Sequence, residues 1–277
     1  MELHPITEDS YSVYQNCMHI NSVFNSVVTA VVIFIILRKT PDSMKTYKWF
    51  LINAATCCFA LDIFITLFFL PVTTLPWILG GCATGLLKPL GPMATVIGWV
   101  SLSQLLGMCG LSLNFTMLYR LAAIYNKTHL LKNKPVLILL AFIQIFFTTP
   151  TIILVLFIHP PEESSLHYVK ESHPNLFDFY STHSCSLITI EMPPFMPYIY
   201  LAIGSILVTV LMMVTQMTLM LSGLRKMKNK MSERTYRMHK QLTSALFIQT
   251  RDAQLSGLPT WAIVGIEPGL ADWKAEA

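Results

Sequence analysis

Five apolar stretches, each at least eighteen residues long, constrain this chain more than any other feature. They are Ile20–Leu37, Trp49–Leu70, Met93–Leu118, Pro135–Ile158 and Phe195–Leu221. About 20 apolar residues in a helix cross the hydrocarbon core of a bilayer. Backbone in lipid must satisfy its own N–H and C=O groups, so a run of this kind has to be helical. Together the five runs hold one formally charged residue, Asp62. Composition agrees: the chain is 53% hydrophobic and 12% charged, against about 25% charged for a soluble domain. The expected class is therefore an all-α integral membrane protein.

The charges between the runs set an orientation. Three connections carry fifteen of the nineteen basic residues: Arg38–Lys48, Arg120–Lys134 and Arg225–Lys240. The alternate segments are nearly bare. The N-terminal segment has no Lys or Arg, the 71–92 loop has Lys88 alone, and the 159–194 loop has Lys170 alone. Lys and Arg stay on the cytoplasmic side. The expected topology puts the N-terminus outside, with the five helices running in, out, in, out and in. The first nineteen residues lack the basic start and small-residue cleavage site of a signal peptide, so none is expected.

A sixth run breaks the pattern. Ser232 is a suitable cap for a helix beginning at Glu233 and passing His239 into Leu242–Thr250. About nine apolar residues later come Arg251 and Asp252, and the following apolar run is no longer. A span joining the two would bury that pair and Pro259. Each such ion at a helix centre costs about 2.5–3.5 kcal/mol on insertion scales. The expectation is five full spans, an incomplete sixth over 233–250, and a non-spanning tail over 251–277.

Chemistry-bearing residues are few. Cysteines lie at positions 17, 57, 58, 82, 109 and 185, and no CxxC pair exists, which argues against zinc or dithiol redox motifs. Cys82 and Cys185 fall on the expected oxidising side, where disulfides persist. A bridge between them would tie the outer loop to the top of the third helix. Two free thiols, or a bridge using Cys17, are the alternatives. Cys57, Cys58 and Cys109 lie in spans and read as packing residues.

Asp62 is the single intramembrane charge, and such a residue marks a functional site by default because burying it is costly. It is a candidate for binding a ligand or ion, or for coupling helix motions. The alternative is a structural Asp hydrogen-bonded to a neighbouring helix. The third run carries Ser101, Ser103, Gln104, Ser112, Asn114 and Thr116 with Gly98, Gly107 and Gly110. Small residues let helices approach closely and polar ones bond across them, so this helix is expected to be central. Ser103 and Gln104 join Asp62 as ligand-facing candidates, with packing alone as the competing explanation.

Tyr119 and Arg120 close that helix at its basic end. Arg120 either enforces topology or contacts a cytoplasmic partner. The methionines Met212, Met213, Met217 and Met220 read as packing or lipid-facing. The sequons at Asn114 and Asn126 fall in a span and in an inner loop, so neither is expected to be glycosylated. No phosphate-binding Gly loop, metal-ligand cluster or nucleophile–base pair is present, so neither an enzyme nor a cofactor is expected. Topology explains the basic 225–240 segment, with anionic lipid as an added contact, so nucleic acid is not an expected partner.

Four stretches carry a family resemblance: MKTYKWFLINAATCCFALDIFITLFFLP (Met44–Pro71), GLLKPLG (Gly85–Gly91), PPFMPYIYLAIGSILVTVLMMVTQ (Pro193–Gln216) and MSERTYRMHKQLTSALFIQT (Met231–Thr250). On these the chain resembles the nematode serpentine receptors of class H, chemosensory G-protein-coupled receptors. The resemblance covers about residues 20–250. It implies a seven-helix receptor bundle with an outer N-terminus in the plasma membrane of sensory neurons, a small-molecule ligand and a heterotrimeric G protein. It makes Arg120, Arg225, Arg234, Arg237 and Lys240 the candidates for G-protein contact.

Two features depart from that pattern. Leu118 and Tyr119, rather than an acid, precede Arg120, so an ionic lock of the usual kind is not expected. The residues after Thr250 supply no run of spanning length, so the resemblance implies family membership without the sixth and seventh helices on which signalling would depend. A non-signalling membrane fragment is the alternative. A secondary transporter fits less well, because such folds show internal repeats, broken helices and several midplane charges.

Overall fold

The computed structural model describes residues 8–39, 45–72, 79–91, 93–158, 184–188 and 195–227, with isolated positions between 167 and 180. The sixth run, the tail from 251, Arg234, Arg237 and Lys240 lie outside the described residues. Among the described residues seven α-helices with both ends defined run in order: α1 (Glu8–Lys39), α2 (Lys45–Ile63), α3 (Met93–Ile124), α4 (Thr128–Lys132), α5 (Lys134–Phe146), α6 (Thr149–Ile158) and α7 (Phe195–Met227). Among the described residues five helical spans are long and apolar enough to cross a membrane: Ser12–Arg38, Thr46–Phe69, Met93–Ile124, Lys134–Leu154 and Met196–Lys226.

The boundaries differ from the apolar runs for simple reasons. The first helix starts at Glu8 rather than Ile20, because its polar first turns carry no breaker between Glu8 and Ile20. The third continues past Leu118 to Ile124, burying Tyr119 and Ile124 against neighbours. The fourth span is not one regular helix. It breaks at Phe147–Thr148 into α5 and α6. Pro150 sits in the first turn of α6, where its missing N–H leaves no hydrogen bond unmade.

α3 is the central helix, packing against α2, α5, α6 and α7 and against the sheet described below. Leu111, Ser112, Asn114, Thr116 and Met117 on it are 2% exposed or less. Two of its glycines admit neighbours that a larger side chain would displace: Phe69 lies against Gly98, and the Thr148 methyl lies against Gly107. The opposite behaviour marks the periphery. Phe24, Phe157 and Leu211 are 65%, 79% and 62% exposed. A continuous apolar exterior of that kind needs hydrocarbon around it.

At one end the bundle carries a cap. Strands β1 (Pro71–Val72), β2 (Leu79–Ala83) and β3 (Ser184–Ile188) form an antiparallel sheet in that order. Cys82 and Cys185 are direct partners in the β2–β3 register and are joined by a disulfide. α2 reaches this cap through a wider π-helical turn, Phe64–Phe69. The turn ends at Leu70, whose φ of 43° is left-handed. That conformation is uncommon for a side chain such as leucine's, and packing holds it: Leu70 is fully buried and its carbonyl accepts the Thr84 hydroxyl at 2.7 Å. Tyr14 of α1 donates to the Pro71 carbonyl at 3.1 Å, tying the first helix to the same end.

Candidate functional site

The end of α3 away from the sheet gathers the charged and aromatic groups. Tyr47 opens α2, Tyr119 and Arg120 lie in the last turns of α3, and Leu131 comes from α4. Tyr47, Phe50, Leu111, Phe115, Tyr119 and Leu131 form one buried cluster. The Tyr47 and Tyr119 rings stack with centroids 5.4 Å apart, and Phe50 lies 5.4 Å from Tyr119. Arg120 bends across this cluster. Its Nε donates to the Tyr47 hydroxyl, and its guanidinium carbon sits 5.0 Å from the Tyr47 ring centroid. A cation over an aromatic face is attracted by the ring quadrupole, so one side chain holds Arg120 by two means. α7 reaches the same end: Leu224 packs on Ile124 and Met220, and Gly223 lies against Tyr125. Arg225 and Lys226 follow as exposed residues.

Halfway along α3 a polar seam joins three helices. Gln144 of α5 donates from Nε2 to the Met108 carbonyl at 3.2 Å and to Cys57 Sγ at 3.3 Å. Its Oε1 accepts from Asn53 Nδ2 of α2 at 3.1 Å. Beside this seam Cys58 of α2 faces Cys109 of α3, with the sulfurs 2.8 Å apart. Thr116 donates to the Ser112 carbonyl within α3 and also approaches the Phe50 carbonyl of α2.

The three ligand-facing candidates do not converge. Gln104 donates to the Ile145 carbonyl at 2.7 Å and accepts from the Thr148 hydroxyl, so it bridges α3 to the broken fourth span. Ser103, one residue away and on another face, meets the Tyr198 hydroxyl of α7. Asp62 lies on α2 just before the π turn, its carbonyl accepting the Thr66 hydroxyl at 2.6 Å. No hydrogen bond or ion pair engages its carboxylate among the described residues. Towards the cap, Trp99 packs edge-on against Phe69 at 5.5 Å. Its Nε1 is buried without a hydrogen-bond partner among the described residues, as are Asn114 Oδ1 and Gln216 Oε1. A shallow groove on α7, lined by Val208, Leu211, Met212, Thr215 and Gln216, includes none of the three candidates.

Sequence reasoning singled out Arg120 but missed Tyr47, whose only sequence signal was an aromatic residue at a helix start. It also missed Gln144 and Asn53, two lone amides in otherwise apolar runs. Amides in a span have to find partners, and that was the available signal.

The family model of serpentine-type seven-transmembrane G-protein-coupled chemoreceptors, Srh, matches residues 9–253. The chain belongs to the Srh chemoreceptor family. No curated protein and no solved structure matches it. Srh membership gives this multi-pass membrane protein a chemosensory receptor-like role. The family is one of receptors, not of enzymes, and implies in general a small-molecule ligand and coupling to a G protein.

Proposed function

We propose that this Srh chain binds a small molecule from outside the cell and activates a heterotrimeric G protein through the Arg120 end of α3. The observation that carries the reading is the placement of Arg120. It closes the central helix, is held by Tyr47 of a different helix, and shares its end of the bundle with Arg225. A clasp built on a hydrogen bond and a cation–π contact is weak enough to open when helices shift and strong enough to favour a resting state. Arg225, Arg234, Arg237 and Lys240 supply the basic surface for the G protein and for anionic lipid.

Two observations support an outward-facing N-terminus. The disulfide is at the sheet end, where an oxidising compartment preserves it. Among the described residues the basic helix ends, with Arg38 on α1, Lys48 on α2, Arg120 on α3, Lys134 on α5 and Arg225 on α7, are at the other. We assign its site of action to the plasma membrane of sensory neurons. Asp62 and Trp99 are the groups we assign to ligand contact, since each offers polar atoms without a protein hydrogen-bond partner among the described residues. Ser103 and Gln104 relay the event to α7 and to the fourth span. We assign the receptor part to residues 1–250, which the family match overlaps from residue 9 onward.

The reading is tested by expressing the chain with a promiscuous Gα subunit and applying a panel of volatile and water-soluble odorants. At least one should evoke a calcium response that Arg120→Glu abolishes at equal surface expression. A second reading, a membrane protein that does not signal by itself, is favoured by Arg251, Asp252 and Pro259 interrupting the last apolar runs. It is supported if no compound in the panel acts on surface-expressed chain.

A further inference from the structure

We propose that Cys58 and Cys109 are a peroxide-sensitive dithiol that closes to a disulfide joining α2 to α3 inside the bundle. The proposal does not depend on the signalling function above. The two sulfurs are 2.8 Å apart on different helices, within about 1 Å of the ~2.05 Å bonded length. Both are free thiols, and they differ in access: Cys58 is half-buried, whereas Cys109 is buried. Cys57, the adjacent thiol on α2, is occupied otherwise. It donates to Asn53 Oδ1 and accepts from Gln144 Nε2. The pairing is therefore specific to Cys58.

Difference in access assigns the two roles. Cys58, once deprotonated, attacks the terminal oxygen of a hydroperoxide. The O–O bond breaks, Cys58 becomes a sulfenic acid, and the alkoxide or hydroxide leaves and takes up the proton. Cys109 then attacks the sulfenic sulfur, the S–S bond forms, and hydroxide leaves and takes the Cys109 proton as water. Two thiols are oxidised by two electrons and one peroxide is reduced to an alcohol and water, or to two waters. The product is a covalent tie beside the Asn53–Gln144 seam. It fixes α2 against α3 and is undone by a dithiol reductant.

The test uses the full chain in nanodiscs, treated with hydrogen peroxide or with cumene hydroperoxide, the second standing for peroxides that partition into lipid. Free thiols are then alkylated under denaturing conditions and the peptides are mapped by mass spectrometry. Cys17, which is exposed, reports delivery of oxidant, and the dose is raised until it reacts. A crosslinked Cys58–Cys109 peptide that disappears on reduction, with Cys57 still alkylated, is the expected result. Cys109→Ser should leave Cys58 as a trappable sulfenic acid, whereas Cys57→Ser should leave the crosslink intact. Response to cumene hydroperoxide alone would place the source in the membrane, and response to both would admit aqueous peroxide. Full alkylation of Cys58 and Cys109 at a dose that oxidises Cys17, or a crosslink through Cys57 instead, would overturn the proposal.

Discussion

Arg120 at the end of α3 donates from Nε to the hydroxyl of Tyr47 at the start of α2, and its guanidinium also lies over the Tyr47 ring. The two residues are 73 positions apart, so the contact fixes how α2 and α3 meet at the end proposed for G-protein docking. A hydrogen bond from a charged donor contributes about 1.5–3 kcal/mol, and a cation over a largely desolvated ring such as that of buried Tyr47 about 1–2 kcal/mol. Tyr47→Phe removes the first and keeps the second. It should release Arg120 partly and raise ligand-independent nucleotide exchange several-fold, with Tyr47→Ala raising it further. Guanine-nucleotide loading of Gα in membranes at matched receptor density measures this, and unchanged basal loading in both variants would count against the clasp.

The Cys82–Cys185 disulfide links positions 103 residues apart. Closing a loop of that length restricts the unfolded chain strongly, and losing such a bridge costs about 2–5 kcal/mol. Cys82→Ser, or mild reduction, should lower the thermal midpoint of the detergent-solubilised protein. Cys17→Ser should not. The comparison is read by a thiol-independent unfolding probe such as intrinsic tryptophan fluorescence, with equal midpoints contradicting the assignment.

Replacing Gln144 with Leu removes three interactions at once and leaves Asn53 Nδ2 without that acceptor. Interhelical hydrogen bonds in membranes average about 0.6 kcal/mol, with a maximum near 1.7. The expected loss lies in that range or slightly above it because of the stranded amide. Asn53→Ala combined with Gln144→Leu should cost less than the sum of the single changes. A double-mutant cycle on unfolding in mixed micelles gives the coupling energy, and strict additivity would show that the two amides act separately.

Gly98 and Phe69 make a steric prediction. Any Cβ at position 98 meets the Phe69 ring, and overpacking of this kind costs about 1–3 kcal/mol. Gly98→Ala should lower the yield of folded protein, and Phe69→Leu in the same chain should restore much of it. If Gly98→Ala expresses and melts like the parent, the close approach of the Phe64–Phe69 turn to α3 is wrong.

Much of this architecture could be read in the sequence, and the omissions have physical causes. Long apolar runs announce spans because lipid leaves the backbone no other choice, so all five were legible. The polar residues and glycines of α3 announced a central helix. The sheet was not legible. Its strands are two to five residues long, and β2, with the sequence LGGCA, lacks the alternation that marks a strand. The break at Phe147–Thr148 was encoded by Pro150 but hidden within an unbroken apolar run. Ser103 and Gln104 were found as polar positions, yet their division between α7 and the fourth span depends on helix rotation, which no single run specifies. Tyr47 and Cys58 were missed as functional groups because each partner comes from a distant segment.

The most direct test of the central claim uses this chain in nanodiscs with a purified heterotrimer, so that no other receptor contributes. Nucleotide exchange is followed as fluorescent GTP-analogue uptake while odorants from the cell-based panel are added. Receptor signalling through Arg120 gives ligand-dependent acceleration in the parent chain, none in Arg120→Glu, and a raised baseline in Tyr47→Phe. Exchange that is the same in all three, with ligand and without it, would contradict receptor signalling through Arg120 and leave a chemoreceptor-family membrane protein that does not couple by itself.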